Sequence, residues 1–216
     1  MKGTAFIALS VDGFVSRKDG DISWLRVPTS SRPSDDDGDK NSTTSEEDMG
    51  FEAFTDSIDC IIMGRVTFDT VVSFGEDMWA YGDKRIVVWT RNPRQVEQML
   101  PEYLQKTGQV SASSLAPREL FEELANDGHG HAYIDGARTI QDFMKAQLVH
   151  PFHLTRIPIL LGSGIPLFDA GDVNKDQEPY DHNDIRLKLE DCKSYANGMV
   201  STYYEVIYNG DKGSSD

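Results

Sequence analysis

Across 216 residues, 36 aspartates and glutamates face 21 lysines and arginines, a formal net charge of −15. A field of that sign repels nucleic acid and anionic membranes and leaves any polyanionic ligand to local arginines. No run approaches the roughly 18 consecutive apolar residues of a membrane span, and the opening MKGTAFIALSVDGF lacks the long apolar core and small-residue cleavage site of a signal peptide, so a cytoplasmic chain is expected.

The first strand is expected over Thr4 to Leu9. Thr29 to Asp48 holds no aliphatic or aromatic side chain and reads as a solvated, mobile acidic insertion. A helix over Gly50 to Ser57 precedes Asp59 to Met63, whose continuous apolar run suits a buried strand. Gly64, Arg65 and Thr67 then open a helix over Val66 to Val72, where Phe68, Val71 and Val72 recur at helical spacing. Next come a strand over Arg85 to Thr90, helices over Arg94 to Gln105 and Pro117 to Asp127, and a strand over His131 to Ile134. After Gly136, Ile140, Phe143, Met144 and Leu148 mark a helix over Thr139 to Leu148, followed by a strand over His153 to Leu161. Ile185 to Cys192 and Met199 to Tyr208 flank SYANG with no helix between them, which predicts an antiparallel hairpin. The earlier alternation of strands and helices implies parallel crossovers, so the expectation is a mostly parallel α/β sheet ended by that hairpin. Residues 1–208 are expected to form a single domain and 209–216 a disordered tail.

Three strand exits carry an arginine beside small or hydroxylated residues: Gly64, Arg65 and Thr67; Thr90, Arg91 and Asn92; Gly136, Ala137, Arg138 and Thr139. The first N–H groups of a helix lack internal partners and favour anions, and the planar fork of arginine donates paired charge-assisted hydrogen bonds to phosphate. Each exit also has a bland reading, an ordinary strand-turn-helix joint or a surface arginine balancing acidic neighbours; their repetition favours a phosphate ligand. The two cysteines, Cys60 and Cys192, lie in or near expected strands, where thiols pack as small hydrophobes. No CxxC or HExxH spacing occurs, so no metal site is expected, and His129 and His131 read as the flank of a strand.

IALSVDGFVS (Ile7 to Ser16), Trp24, IIMGRVTFD (Ile61 to Asp69), VVWTRN (Val87 to Asn92), IDGARTIQDF (Ile134 to Phe143) and LTRIPILLGSGIPLF (Leu154 to Phe168) together resemble the dihydrofolate reductase superfamily in order and spacing. IDGARTI and PILLGSGIPLF are similar to its riboflavin-biosynthesis branch, the C-terminal reductase domain of the bifunctional deaminase-reductase and its stand-alone relatives. The resemblance implies a dihydrofolate reductase-like three-layer α/β/α fold with NADPH across the strand ends. Its pyrophosphate would lie near Gly64, Thr67, Gly136, Ala137, Arg138 and Thr139. Arg65 and Arg91, with Thr90 and Asn92, would take the 2′-phosphate, and backbone groups of Ala8 and Val15 the nicotinamide carboxamide. Relatives commonly carry a further glycine where this chain has Ala137. In dihydrofolate reductases an acidic residue near the first helix assists protonation, and counting back from Gly64 lands on Asp48, with Thr155 resembling the threonine across the pocket.

The implied activity is NADPH-dependent reduction of a small heterocycle, most like 5-amino-6-(5-phosphoribosylamino)uracil. A dihydrofolate or pteridine reductase and a nucleotide-binding module without turnover stay open beside it. Neither a deaminase zinc signature nor a second basic cluster for a substrate phosphate occurs in the sequence. Branch relatives are commonly homodimers, which is the expectation for the partner.

Overall fold

A computed structural model of the chain describes residues 1–25, 49–168 and 184–208. The expected acidic insertion over 29–48, with Asp48, and the expected tail over 209–216 lie outside the described residues. The elements in chain order are β1 (Lys2–Ser10), β2 (Phe14–Ser16), α1 (Phe51–Ser57), β3 (Cys60–Gly64), α2 (Arg65–Ser73), β4 (Arg85–Trp89), α3 (Pro93–Met99), α4 (Glu102–Thr107), β5 (Val110–Ser113), α5 (Pro117–Asn126), β6 (His131–Asp135), α6 (Ala137–Lys145), β7 (Pro151–Ile157), β8 (Ile165–Pro166), β9 (Arg186–Ser194) and β10 (Val200–Ile207). Eight strands form one sheet in the order β5-β4-β3-β6-β1-β7-β10-β9, and β2 pairs with β8 in a small second sheet. The pairings from β5 through β7 are parallel; β10 runs antiparallel to both β7 and β9. This is the mostly parallel sheet with a terminal antiparallel hairpin that the element order implies.

Both faces of the central strands are covered, which is why they read as continuous apolar runs rather than alternating ones. Successive side chains still point to opposite sides. Ile61, Met63, Ile86 and Val88 pack with Phe54 of α1, Phe68 of α2, Val96 of α3 and Leu104 of α4. Ile62, Val87, Ala132 and Ile134 face the other way, onto Leu120 and Leu124 of α5 and Ile140, Phe143 and Met144 of α6. Ile61, Ile62, Ile134 and Ile140 are fully enclosed, and truncating any of them to Ala should cost about 2–5 kcal/mol.

Beyond shifts of a few residues at element ends, the structure differs from the sequence expectation in these elements. The helix expected over Arg94 to Gln105 is two helices, because Leu100 turns extended (φ −60°, ψ 131°) before Pro101, whose ring disfavours helical backbone in the residue ahead of it. β5 is absent from the expectation because VSAS carries only one branched apolar side chain and sits at a sheet edge. β7 ends at Ile157 instead of Leu161, since the following Pro158 has no N–H for the ladder. The short pair β2 and β8 also went unread; two to three residues hold no periodicity.

Candidate functional site: a cleft across the strand ends

Parallel strands leave their carboxyl ends on one edge, and in this sheet that edge opens into a cleft of about 1100 Å³. β1 and β2 contribute Ala8 and Val15; the exit of β3 contributes Gly64, Arg65 and Thr67; that of β4, Thr90 and Arg91; that of β6, Gly136, Ala137, Arg138 and Thr139. Eleven of the twelve expected cofactor residues therefore line one cavity. Asn92 does not: it is exposed at the start of α3, its N–H bound to Thr90 Oγ1 at 3.2 Å. Thr155 is also elsewhere, buried in β7 with its hydroxyl 2.7 Å from Ser201 Oγ on β10.

Two helix starts meet in the cleft. α2 begins after Gly64 and α6 after Gly136, and neither has a side-chain cap, so the N–H groups of both first turns are left for a ligand. Each helix carries a threonine three residues past its glycine, and the two motifs interlock. A Cβ on Gly64 would lie 2.8 Å from Thr139 Oγ1, and a Cβ on Gly136 would collide with Thr67 Oγ1. Gly136 also has φ +92°, ψ 138°, backbone that L side chains rarely adopt. The space left by its missing side chain is thus filled by Thr67; the glycine sets the spacing of the two helix starts and leaves the uncapped N–H groups to meet an anion.

The arginines differ in freedom. Arg65 Nε donates to both oxygens of Asp69, at 2.7 and 2.8 Å, and its Nη2 lies 3.6 Å from Met99 Sδ. Arg138 pairs with Asp142 at 3.0 Å through a side chain that is 75% exposed, a contact worth under about 1 kcal/mol. Arg91 makes no ion pair or hydrogen bond among the described residues, so its whole guanidinium is available.

The same cleft is lined by Phe6, Ile22, Leu25, Met49, Phe51 and Tyr133. Asp135 and Tyr81 line it as well, Asp135 paired in register with Met63 of β3 and directly before Gly136. Asp135 closes β6 and accepts from Tyr81 Oη at 3.3 Å. Burial pushes its carboxyl above the usual carboxylate range, an effect that nearby donors, among them the Gly136 N–H and the Tyr81 hydroxyl, offset only in part. Sequence reasoning missed both residues. A carboxylate directly after the apolar run AYI, beside the glycine of a strand exit, was a readable signal for Asp135; Tyr81 lies in an irregular segment and reaches the site only through the fold.

Other polar residues hold the scaffold. Asp12 accepts from Ser10 Oγ (2.6 Å) and from the N–H groups of Leu161 (3.1 Å) and Gly162 (2.7 Å), tying the β1 exit to the LLGSG loop. The Ser10 hydroxyl and those N–H groups keep its carboxyl below its ordinary range. His131 bridges Thr4 and the Ser57 carbonyl, and no group of metal-ligating side chains occurs among the described residues. Cys60 is buried, which pushes its thiol up to about 12, whereas Cys192 is exposed on β9 instead of packed as a hydrophobe. No described helix is long and apolar enough to cross a membrane.

The chain is similar to the uncharacterised Bacillus subtilis protein YwjB, at 28% identity over 202 residues, 94% of this chain and 97% of that one. Among solved structures, a Shewanella sp. PV-4 protein with a provisional riboflavin-biosynthesis name is 28% identical with a TM-score of 0.74, covering 96% of this chain and 99% of its own. A Thermotoga maritima protein named as a diaminohydroxyphosphoribosylaminopyrimidine deaminase and 5-amino-6-(5-phosphoribosylamino)uracil reductase shares the fold, with a TM-score of 0.64 at 10% identity. There 95% of this chain matches 56% of that one. The model of the RibD C-terminal domain matches residues 1–201, and with the fold and the cleft in place the chain belongs to that family.

Proposed function

We infer that the protein is an NADPH-dependent reductase of a small, flat heterocycle. The observation that carries this reading is one cleft whose lining combines uncapped helix starts and three arginines with apolar and aromatic side chains and a raised carboxyl. The helix starts and arginines fit a dinucleotide. N–H groups of α2 and α6 suit a pyrophosphate, and Arg91 with the remaining donors of Arg65 suits a 2′-phosphate, which favours NADPH over NADH. When bound, that cofactor supplies a hydride, and the protein's task is orientation.

In the same cleft the half-buried ring of Phe51, with Ile22, Leu25 and Met49, suits a planar substrate. Asp135, whose carboxyl is raised by burial and which accepts from Tyr81, is the candidate to donate a proton to a ring nitrogen as the adjacent carbon is reduced. This reading puts the proton source at Asp135 rather than at Asp48, the acid that the resemblance implies, which lies outside the described residues. A cytoplasmic location completes the reading, supported by two free thiols.

The test is a turnover screen: loss of reduced nicotinamide absorbance with ribosylaminopyrimidines, free pyrimidines and pteridines, beside calorimetric titration with NADPH and NADH. Turnover that falls at least tenfold in Asp135→Asn with NADPH affinity unchanged supports the reading. NADPH binding without turnover on any of these substrates identifies a nucleotide-binding module instead, and no NADPH binding removes both.

A further inference from the structure

A second cavity, of about 250 Å³, lies under α1, toward the starts of β1, β6 and β7 and away from the cleft at their exits. Alternate residues of paired strands share a face of the sheet. The register sets Lys2 beside His131 and Phe6 beside His153, with Tyr203 of β10 on the far side of His153. These five side chains line the floor, and Ala53 and Phe54 of α1 line the wall; of all of them only Phe6 also lines the large cleft. The enclosure is aromatic. The His153 ring lies 4.5 Å from that of Tyr203, 5.5 Å from Phe6 and 5.8 Å from Phe54. Neither of its nitrogens has a hydrogen-bond partner among the described residues, and Nδ1 is enclosed, which leaves Nε2 to meet a ligand. Burial, with Lys2 and His131 nearby, pushes the imidazole of His153 down to about 4, and burial lowers His131 as well, so both rings are neutral near neutral pH. The ammonium of Lys2 is then the charge of the lining, and its side chain makes no ion pair or hydrogen bond among the described residues.

We propose that this cavity is a second binding site, for a small aromatic carboxylate whose charged group meets the ammonium of Lys2 and whose ring lies among Phe6, Phe54, His153 and Tyr203. A cation beside an aromatic enclosure selects a ligand divided in the same way, and the surrounding rings offer edge-to-face contacts to another ring. Pockets for drug-sized ligands start at roughly 300 Å³, so a cavity of about 250 Å³ suits a single ring. The site is independent of the chemistry of the large cleft and does not rest on the reductase reading.

The test is proton NMR of the full chain titrated with benzoate, benzamide or benzylammonium, read at the C2–H signals of its five histidines, with His131→Gln and His153→Phe assigning two of them. Benzoate should shift the His131 and His153 signals and saturate at millimolar concentration. Benzamide, of similar size without the charge, should bind at least fivefold more weakly, and benzylammonium not at all. Lys2→Gln should weaken benzoate at least fivefold and leave benzamide unchanged. Ala53→Trp, which fills the cavity from an exposed position of its lining, should abolish both, with circular dichroism confirming the fold. Benzoate that leaves both signals in place, that binds no better than benzamide, or that binds Lys2→Gln undiminished would overturn the proposal. Shifts that survive in folded Ala53→Trp would overturn it too, and their loss in Arg91→Ala would put the benzoate in the large cleft.

Discussion

Asp135 shows how a single residue can be costly to the fold and useful to the site. Its carboxyl is pushed up by burial, so the folded chain binds its proton more tightly than the unfolded chain does. The sign follows: below the unfolded value both states are protonated and the residue is neutral to stability, and as pH rises through the folded value the fold loses stability. Asp135→Asn should therefore raise the unfolding midpoint at pH 7–8, by an amount that vanishes toward pH 3, while turnover falls. Thermal melts across that range check it; a gain that persists unchanged at low pH contradicts the raised carboxyl. Arg91 supplies the second test at this scale. Because its guanidinium has no partner among the described residues, replacing Arg91 by Ala should remove about 1.5–3 kcal/mol, ten- to a hundredfold in NADPH affinity. Arg65→Ala should lose less, because Asp69 already holds its Nε. Equal losses for NADH and NADPH would rule out contact with the 2′-phosphate.

Among the elements, the pairing of α2 with α6 explains why both carry glycine at the start and threonine three residues later. The sequence made the strand-turn-helix joints legible, and with them nearly all the residues that those exits contribute to the cleft, because glycine between an apolar run and a 3.6-residue period is a local signal. It did not show that Gly136 is packed against Thr67, since contact between residues 69 positions apart is a property of the sheet order. Nor did it show β5, whose small polar residues have no period, or the break at Leu100, which only the proline announced. The glycine contact has a measurable consequence. Gly136→Ala should destabilise by about 1–3 kcal/mol from positive φ alone, with more from collision with Thr67. In Gly136→Ala with Thr67→Ala the collision is gone and only the backbone strain remains. Urea unfolding of the singles and the double should then show a double-variant loss about 0.5–2 kcal/mol smaller than the sum. Strict additivity would show that the two helix starts do not touch as described.

For the whole molecule, the cleft brings together helix starts from both layers. α2 belongs to the layer packed on Ile61 and Met63, α6 to the layer packed on Ile62 and Ile134, and a dinucleotide spanning their starts would clamp the two sides of the sheet together. The net charge of −15 opposes that binding at long range, so the affinity must come from local arginines and helix starts, and these are held in place by the folded sheet. Unfolding should then release the cofactor completely. At a hundred times its dissociation constant a ligand bound only by the folded state adds about 2.7 kcal/mol, which for a chain of this size is about 5–10 °C. NADPH should shift near-ultraviolet and far-ultraviolet melts together by that amount. The signals are independent because Trp24, Trp79 and Trp89 lie in different parts of the molecule, Trp24 in a cluster with Ile157 and Met199 away from the two main cores. A shift seen by the tryptophans while the backbone signal stays put would mean that the ligand orders one region without joining the two layers, and the cleft as drawn would have to be abandoned as its binding site.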